Sequence, residues 1–551
     1  MCGIFAILNN NNENKVIEKE FKKGNKRGPE FSIMKSYNNL VMGFHRLAIN
    51  GLNENSNQPF DMHNIVLICN GEIYNYQTLA KEHNLTMNTN SDCEIILHMY
   101  RLYGLNYTLN ILDGVFSFIL YDKNINKVFV ARDPYGVRPL YYFINNNTYC
   151  FASELKVLYN LVDNKSLINN FIPGNFMTIN NNESPYYNLE KYTNFPCSNN
   201  NYFIDSNNEV FLNIVLKLSN AVKKRVQGTT ERPIACLLSG GLDSSLIACL
   251  VNKHMKNIEG NEYSRLKTFS IGLAGSEDLK YAAIVAKHID SDHNEIIVSE
   301  EEFFNAIPNV IRVIESYDTT TIRASVGNYL VAKYIKENSD CKVIFNGDGA
   351  DELMGGYLYF TQAPNAYEFD YECKRLLNDI YMYDVLRSDK SISSNGLEPR
   401  TPFLDRQWVE FYLSINKHLR FDTTCKSHDK CEKFLIRKAF EKIMPKLLPH
   451  EILWRKKEAF SDGVSSLNKS WYQIIQEKIS ENISLHNNID NLIETYKNDD
   501  NLINKPNTYE QGYYRLIYNK YYKNTDHLIK YYWMPKYVDA DDASARTLKI
   551  Y

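Results

Sequence analysis

No segment of this 551-residue chain is long and apolar enough to cross a membrane. The longest weakly charged stretch, 233–252, carries Ser239-Gly240-Gly241 and Asp243 and fails as a span. A charge excess is missing as well. Lys and Arg number 62 against 65 Asp and Glu, a net −3, which speaks against a nucleic-acid binder or a polybasic membrane protein. The start lacks a basic n-region and its apolar run stops at Leu8, so no secretory leader is expected. The 11 cysteines are odd in number, scattered and without a paired CxxC motif. Reduced thiols and a cytoplasmic location are the expectation. No internal repeat shows at periods of about 20–50 residues. Asparagine runs at 9–12, 145–147 and 180–182 fall where turns are expected, and the acceptor sequence Asn84-Leu85-Thr86 carries no weight without a secretory route.

What is present is ordinary globular composition, 44% hydrophobic and 23% charged. A single core stops growing near ~250–300 residues, so at least two large domains are expected. Residues 2–185 alternate short apolar runs (4–8, 65–69, 115–121, 127–131, 149–152) with Gly-, Asn- and Asp-rich turns. With helices at 16–23 and 93–103, this reads as an α+β domain on antiparallel sheet. Residues 186–208, with Pro196 and the Asn199–Asn201 run, read as a linker. From 209 to 551 the rhythm is strand, helix, strand. Strands at 234–238, 268–273, 295–298 and 342–346 are separated by helices at 244–254, 278–289, 303–315 and 325–336. That alternation predicts an α/β domain on a doubly wound parallel sheet, with a helical part after about residue 371.

Cys2 is the first residue that suggests chemistry. Removal of Met1 would leave a cysteine bearing both a thiol and a free α-amine, and an amine of pKa about 7.7–8 can serve its own side chain as base. Downstream, in order, stand Arg27-Gly28-Pro29-Glu30, Phe44-His45-Arg46-Leu47-Ala48-Ile49, Asn70-Gly71-Glu72-Ile73-Tyr74-Asn75 and Ser91-Asp92-Cys93-Glu94. With the opening Met-Cys-Gly-Ile, residues 2–185 resemble the glutaminase domain of class II glutamine amidotransferases, an N-terminal-nucleophile hydrolase fold with stacked antiparallel sheets between helices. The resemblance implies that Arg46 pairs with the α-carboxylate of glutamine and Asp92 with its α-ammonium. Leu47, Ala48, Ile49, Asn50 and Glu72 would complete the pocket. The Asn70 amide and the Gly71 N–H would stabilise the oxyanion, one such donor being worth ~10²–10³ in rate. Plainer readings stand beside these: Arg46 as a surface ion pair, Asp92 as a helix N-cap, and Asn70-Gly71 as a hairpin turn. Lys26 stands where the family usually has His before Arg-Gly-Pro, which is expected to tune the site and not abolish it.

In the second domain, Ser239-Gly240-Gly241-Leu242-Asp243-Ser244-Ser245 lies between a buried strand and a helix. Its glycines let backbone approach an anion, and the helix start presents N–H groups. No Lys follows at the spacing of the G-x-x-x-x-G-K-S/T loop. The segment resembles the pyrophosphate loop of ATP pyrophosphatases. The plainer reading is a glycine turn with Asp243 as a cap. Further on come Thr320-Thr321-Ile322-Arg323-Ala324-Ser325, Asn346-Gly347-Asp348-Gly349-Ala350-Asp351-Glu352, Glu398-Pro399-Arg400-Thr401-Pro402-Phe403-Leu404-Asp405, Trp454-Arg455-Lys456-Lys457-Glu458 and Phe460-Ser461-Asp462-Gly463. Across nearly the whole chain this order resembles the glutamine-hydrolysing asparagine synthetases.

That resemblance implies substrates glutamine, aspartate and ATP, with Mg²⁺ as the metal, and leaves a homodimer open. Ser239, Gly240, Gly241, Asp243 and Ser244 would bind pyrophosphate. Leu237, Ile271, Asn346 and Gly347 would touch the nucleotide, and Asp243 and Asp351 would hold Mg²⁺. Lys457 would stabilise charge at phosphorus, Arg323 would orient aspartate, and Asp348, where many relatives carry Glu, would act at the acyl carbon. The alternatives are an amidotransferase or β-lactam-synthetase-like ligase with another carboxylate acceptor, or an inactive nucleotide-binding regulator. Cys425, His428 and Cys431 have zinc-like spacing but no fourth ligand, so no zinc is expected.

Overall fold

The computed structural model of the chain describes residues 1–10, 12–181, 185–193, 207–229, 231–257, 265–426, 431–458, 463–465, 469–540 and 542–544. The Phe460-Ser461-Asp462 segment, His428 and most of the expected linker lie outside them.

Two six-stranded antiparallel sheets form the N-terminal half. In spatial order one runs Asn169–Asn170, Tyr141–Asn145, Thr148–Ala152, Gly3–Leu8, Leu40–Arg46, Phe31–Tyr37; the other runs Tyr186–Lys191, Asn175–Asn180, Lys127–Arg132, Gly114–Asp122, Ile65–Ile73, Phe60–Met62. The central strands are apolar on both faces because both faces are covered. Ile4, Ala6, Met42 and Phe44 meet Val66, Ile68, Ile119 and Val130 between the sheets. Outside the second sheet, Leu67, Cys69, Phe118 and Leu120 share a core with Ile95, Ile96 and Met99 of helix Ile95–Ile111. That helix is broken at Gly104 (φ 77°), where the apolar pattern pauses, and then resumes. The layers are helix, sheet, sheet, helix, the expected N-terminal-nucleophile hydrolase arrangement.

The third sheet is parallel throughout and has five strands. Its order is Asp292–Val298, Lys267–Leu273, Ile234–Leu237, Val343–Phe345, Glu398–Arg400. Numbered along the chain this is 3-2-1-4-5, so the winding reverses between Ile234–Leu237 and Val343–Phe345. Open α/β sheets bind ligands outside the carboxyl ends of their strands at that reversal. The loops leaving the two strands there are the ones that begin at Leu238 and Asn346.

Three segments differ from the sequence reading. Asn70 and Gly71 are not a turn: they sit inside the strand Ile65–Ile73, opposite Ser117 and Phe116. Asn-Gly is a strong hairpin signal locally, but nine paired residues outweigh it. Tyr186–Lys191, at the start of the expected linker, is an edge strand paired with Asn175–Asn180. The Thr320–Ser325 motif is helical, because Asp318 caps helix Thr319–Asn338 by accepting from the Thr321 N–H.

Candidate active sites

Cys2 leads into strand Gly3–Leu8, and its thiol faces the carbonyl of Leu47 at 3.7 Å. Burial pushes the thiol up to about 11, against the opposing pull of the N-terminal ammonium, the Leu47 contact and Arg46. The group is therefore neutral near pH 7, and a nucleophile there needs a base. The terminal nitrogen of Met1 lies 3.9 Å from Glu398 Oε2. Arg46 projects from the end of its strand into the loop that follows. Its guanidinium donates to the carbonyls of Asn53 (3.1 Å), Asn50 (3.3 Å) and Gly51 and to Asn57 Oδ1 (2.7 Å). It is buried and, among the described residues, not ion-paired, and in this state it organises residues 50–57.

Asn70 is 0% exposed, and among the described residues neither its Oδ1 nor its Nδ2 has a partner. An orphaned buried amide costs about 1–3 kcal/mol, and here it sits in the strand next to the sheet that carries Cys2. At Gly71 a Cβ would come within 2.5 Å of the Val115 carbonyl oxygen, so only glycine fits. Glu72 accepts from Asn50 Nδ2 (3.0 Å) and lies 3.1 Å from Arg400 Nη2. Asp92 accepts from the Ile73 N–H at 2.6 Å, and burial raises it to about 6. The cap of the short helix Asp92–Glu94 is Ser91, so Asp92 is free of capping duty. Ala48 N–H donates to Glu30 Oε2 at 2.7 Å, and Leu47 and Ile49 are buried in the core beside the loop.

The second site is a cavity of about 180 Å³ at the winding reversal. Leu237, Ser239, Gly241, Asp243, Ser244, Ile271, Asn346, Gly347, Asp348, Asp351 and Lys457 all line it. Gly240 does not. It shapes the turn with φ +70°, where a Cβ would collide with the backbone of Tyr281 and Ala282. Helix Leu242–Met255 begins at Gly241 with no side-chain cap, so its first N–H groups are left for a ligand beside the cavity. Gly347 packs against that helix start, a Cβ there falling 2.9 Å from the Asp243 Cβ. Asp243 Oδ1 is buried without a partner among the described residues. Lys457 lies 2.6 Å from Asp351 Oδ2, and neighbouring Asp351 and Asp243 raise its pKa despite burial. Asp348 accepts from Arg387 Nη2 at 3.0 Å through Oδ1, and Ser388 also supports its carboxylate. Burial, first among several causes, raises Asp348 above the usual carboxylate range.

Arg323 is the exception among the expected residues. It is absent from the cavity wall, although Thr320 and Ala324 on the same helix belong to it. Its guanidinium is buried between Glu510 (2.8 Å from Nε) and Asp542 (2.7 Å from Nη1), a structural clamp between helices and C-terminal segment. A turn of about 100° per residue puts position 323 on a different face from 324. Sequence reasoning missed four groups. Arg387 meets Asp348. Arg455 holds the Ser239 carbonyl at 3.2 Å and Asp278 at 2.8 Å. Lys433 lies between Asp243 and Asp351. Arg400 joins Glu72 to Glu398. Arg400 and Arg455 stood inside quoted motifs; Lys433 had no local signal.

The two sites share a helix. On Asp384–Ser393, Arg387 holds Asp348 and Ser388 Oγ accepts from Asn346 Nδ2 at 2.7 Å. Asp389 accepts from Arg27 at 2.6 Å, and Arg27 Nε donates to the Cys2 carbonyl at 3.0 Å.

Family models match in two parts: a glutamine amidotransferase domain over residues 1–228 and an asparagine synthase domain over 214–371 and 361–507. The protein is thus of the amidotransferase class, a glutamine amidotransferase domain joined to an ATP-using ligase domain. The asparagine synthetase [glutamine-hydrolyzing] of Gallus gallus is 40% identical over 584 residues, covering 100% of this chain and 99% of that one. That of Homo sapiens is 38% identical over 578 residues with the same coverage. Among solved structures, the allosteric regulatory enzyme of purine biosynthesis aligns at a TM-score of 0.30 and 16% identity, covering 54% of this chain and 80% of that one, too distant to carry an argument. The chain belongs to the glutamine-hydrolysing asparagine synthetases.

Proposed function

We propose that this chain makes asparagine from aspartate, ATP and glutamine, with residues 2–185 as the glutaminase, 186–208 as the connection and 209–551 as the synthetase. The observation that carries the reading is one helix, Asp384–Ser393, tied through Asp389 and Arg27 to the backbone of Cys2 and through Arg387 and Ser388 to the Asn346–Asp348 loop. In the first site, Cys2 Sγ attacks the side-chain amide carbon of glutamine after giving its proton to the α-amine freed by loss of Met1. Arg46, Asp92 and the pocket Leu47–Asn50 with Glu72 hold the amino-acid head. The Asn70 amide and Gly71 N–H take the oxyanion, ammonia leaves, and water releases glutamate from the thioester.

In the second site, a β-carboxylate oxygen of aspartate attacks the α-phosphorus of ATP, and pyrophosphate leaves against Ser239, Gly241, Ser244 and the uncapped helix start. Ammonia then attacks the β-carbonyl carbon and AMP departs. Asp348, on the cavity wall, takes the proton the nitrogen sheds, and Lys457 offsets charge at phosphorus. Arg323 acts at a distance, by holding its helix in place. Two carboxylates, Asp243 and Asp351, suit Mg²⁺, which is ordinarily held by one or two carboxylates plus substrate phosphates; it would neutralise the pyrophosphate charge. Among the described residues no cluster of three or more metal-ligating side chains occurs. Scattered cysteines without a paired CxxC motif fit a cytoplasmic location. No described helix is long and apolar enough to cross a membrane.

The test is Cys2→Ala. Glutamine-dependent asparagine formation should vanish while ammonia-dependent synthesis stays within about twofold, read as asparagine, AMP and pyrophosphate. Loss of both activities in a folded protein would overturn the division into two sites.

A further inference from the structure

Lys433 precedes helix Phe434–Ile443 and belongs to no motif that pointed to chemistry. It is 1% exposed. Its Nζ lies 2.5 Å from Asp243 Oδ2 and 2.5 Å from Asp351 Oδ1, the two carboxylates that face each other across the cavity. Lys457 takes the other oxygen of Asp351. Two negative and two positive charges thus cancel in a space where an uncompensated carboxylate pair would be costly.

The surroundings are shaped around this one side chain. Lys433 has a left-handed backbone (φ +56°), uncommon outside glycine and kept only where neighbours impose it. The preceding Glu432 is pinned by Arg437 from within the following helix. Gly356 lies against the lysine stem: a Cβ there would collide with Lys433 Cε and Asp351 Oδ1. The second glycine of Gly355-Gly356 therefore clears a path for Lys433, a reason for glycine that its own backbone angles do not supply.

A divalent cation held by Asp243 and Asp351 would compete with this ammonium for their carboxylate oxygens. Lysine is suited to release them, being a compact charge on a flexible four-carbon stem. We propose that Lys433 is the resident counter-ion of the Asp243–Asp351 pair, displaced when metal and nucleotide enter together and then transferred to a phosphate oxygen. The idea rests on the reading of this cavity as the ATP site. Free metal alone competes poorly with a tethered ammonium, whereas metal bound to a nucleotide brings phosphates that receive the displaced charge. The site is thereby biased towards loading the complex.

The experiment uses the full chain and Mn²⁺ as probe, with binding followed by electron paramagnetic resonance in the absence of nucleotide. Lys433→Met keeps the stem and removes the charge; it should bind Mn²⁺ at least tenfold more tightly than wild type, while KM for Mg·ATP in AMP release rises at least tenfold. Lys433→Arg should bind Mn²⁺ like wild type. Should the methionine variant not fold, Lys433→Gln gives the same comparison. Mn²⁺ affinity within twofold of wild type in a folded neutral variant would overturn the proposal. The Mn²⁺ comparison decides on Lys433 whatever the enzyme assay gives. Absence of aspartate-dependent AMP release from wild type would instead defeat the functional reading.

Discussion

Replacing Asn70 by Leu should separate stability from catalysis in opposite directions. Asn70 is fully buried in strand Ile65–Ile73, and both polar atoms of its amide lack partners among the described residues. Removing a buried unsatisfied amide recovers about 1–3 kcal/mol of desolvation cost. Leucine of similar size, flanked by an apolar strand, introduces no new polar group. For a domain of about 150–250 residues each kcal/mol shifts Tm by about 2–4 °C. The N-terminal unfolding transition should therefore move up by at least about 2 °C in calorimetry. Catalysis should move the other way. One oxyanion donor is worth about 2.7–4 kcal/mol, so glutamate release should fall by ~10²–10³ in kcat, with ammonia-dependent synthesis unchanged. An unaltered glutaminase rate would show that the amide does not face the oxyanion. A fall in Tm would show that it has a partner in solution and is not stored strain.

Three further outcomes follow from the same geometry. Asp348→Asn should lower asparagine synthesis by at least ~10², the worth of a positioned base, with nucleotide binding by calorimetry unchanged; near-normal synthesis would make Asp348 a partner of Arg387 and nothing more. Arg323→Met leaves Glu510 and Asp542 facing each other without a cation, a loss of about 3–5 kcal/mol for a broken buried pair; if denaturation midpoints do not move while aspartate KM rises, the clamp assignment is wrong. Asp92, raised to about 6 by burial, loses its charge as pH falls through that value. Because glutamine's ammonium stays positive there, KM for glutamine should rise about fivefold from pH 6 to pH 5, and a flat profile would remove Asp92 from the binding role.

The sequence by itself determined whatever is local to a few consecutive residues. Ser239–Ser245 is legible as an anion loop because strand, glycines and helix start are contiguous, and in the fold that loop stands at the winding reversal of the parallel sheet. The strands and helices around it were readable from periodicity, since apolar spacing encodes which face is covered. Tertiary structure decided the rest. Asn70-Gly71 reads as a turn in isolation and becomes strand only because Gly114–Asp122 pairs along it. Arg323 sits in a motif beside residues that reach the cavity, yet helical rotation and two distant carboxylates, Glu510 and Asp542, turn it away. Lys433 meets Asp243 across 190 positions of chain, and Arg27 meets Asp389 across 362. Charges so far apart in sequence leave no periodic trace. Their pairing is chosen by the folded interior, where an unpartnered charge costs far more than it does in the solvated chain.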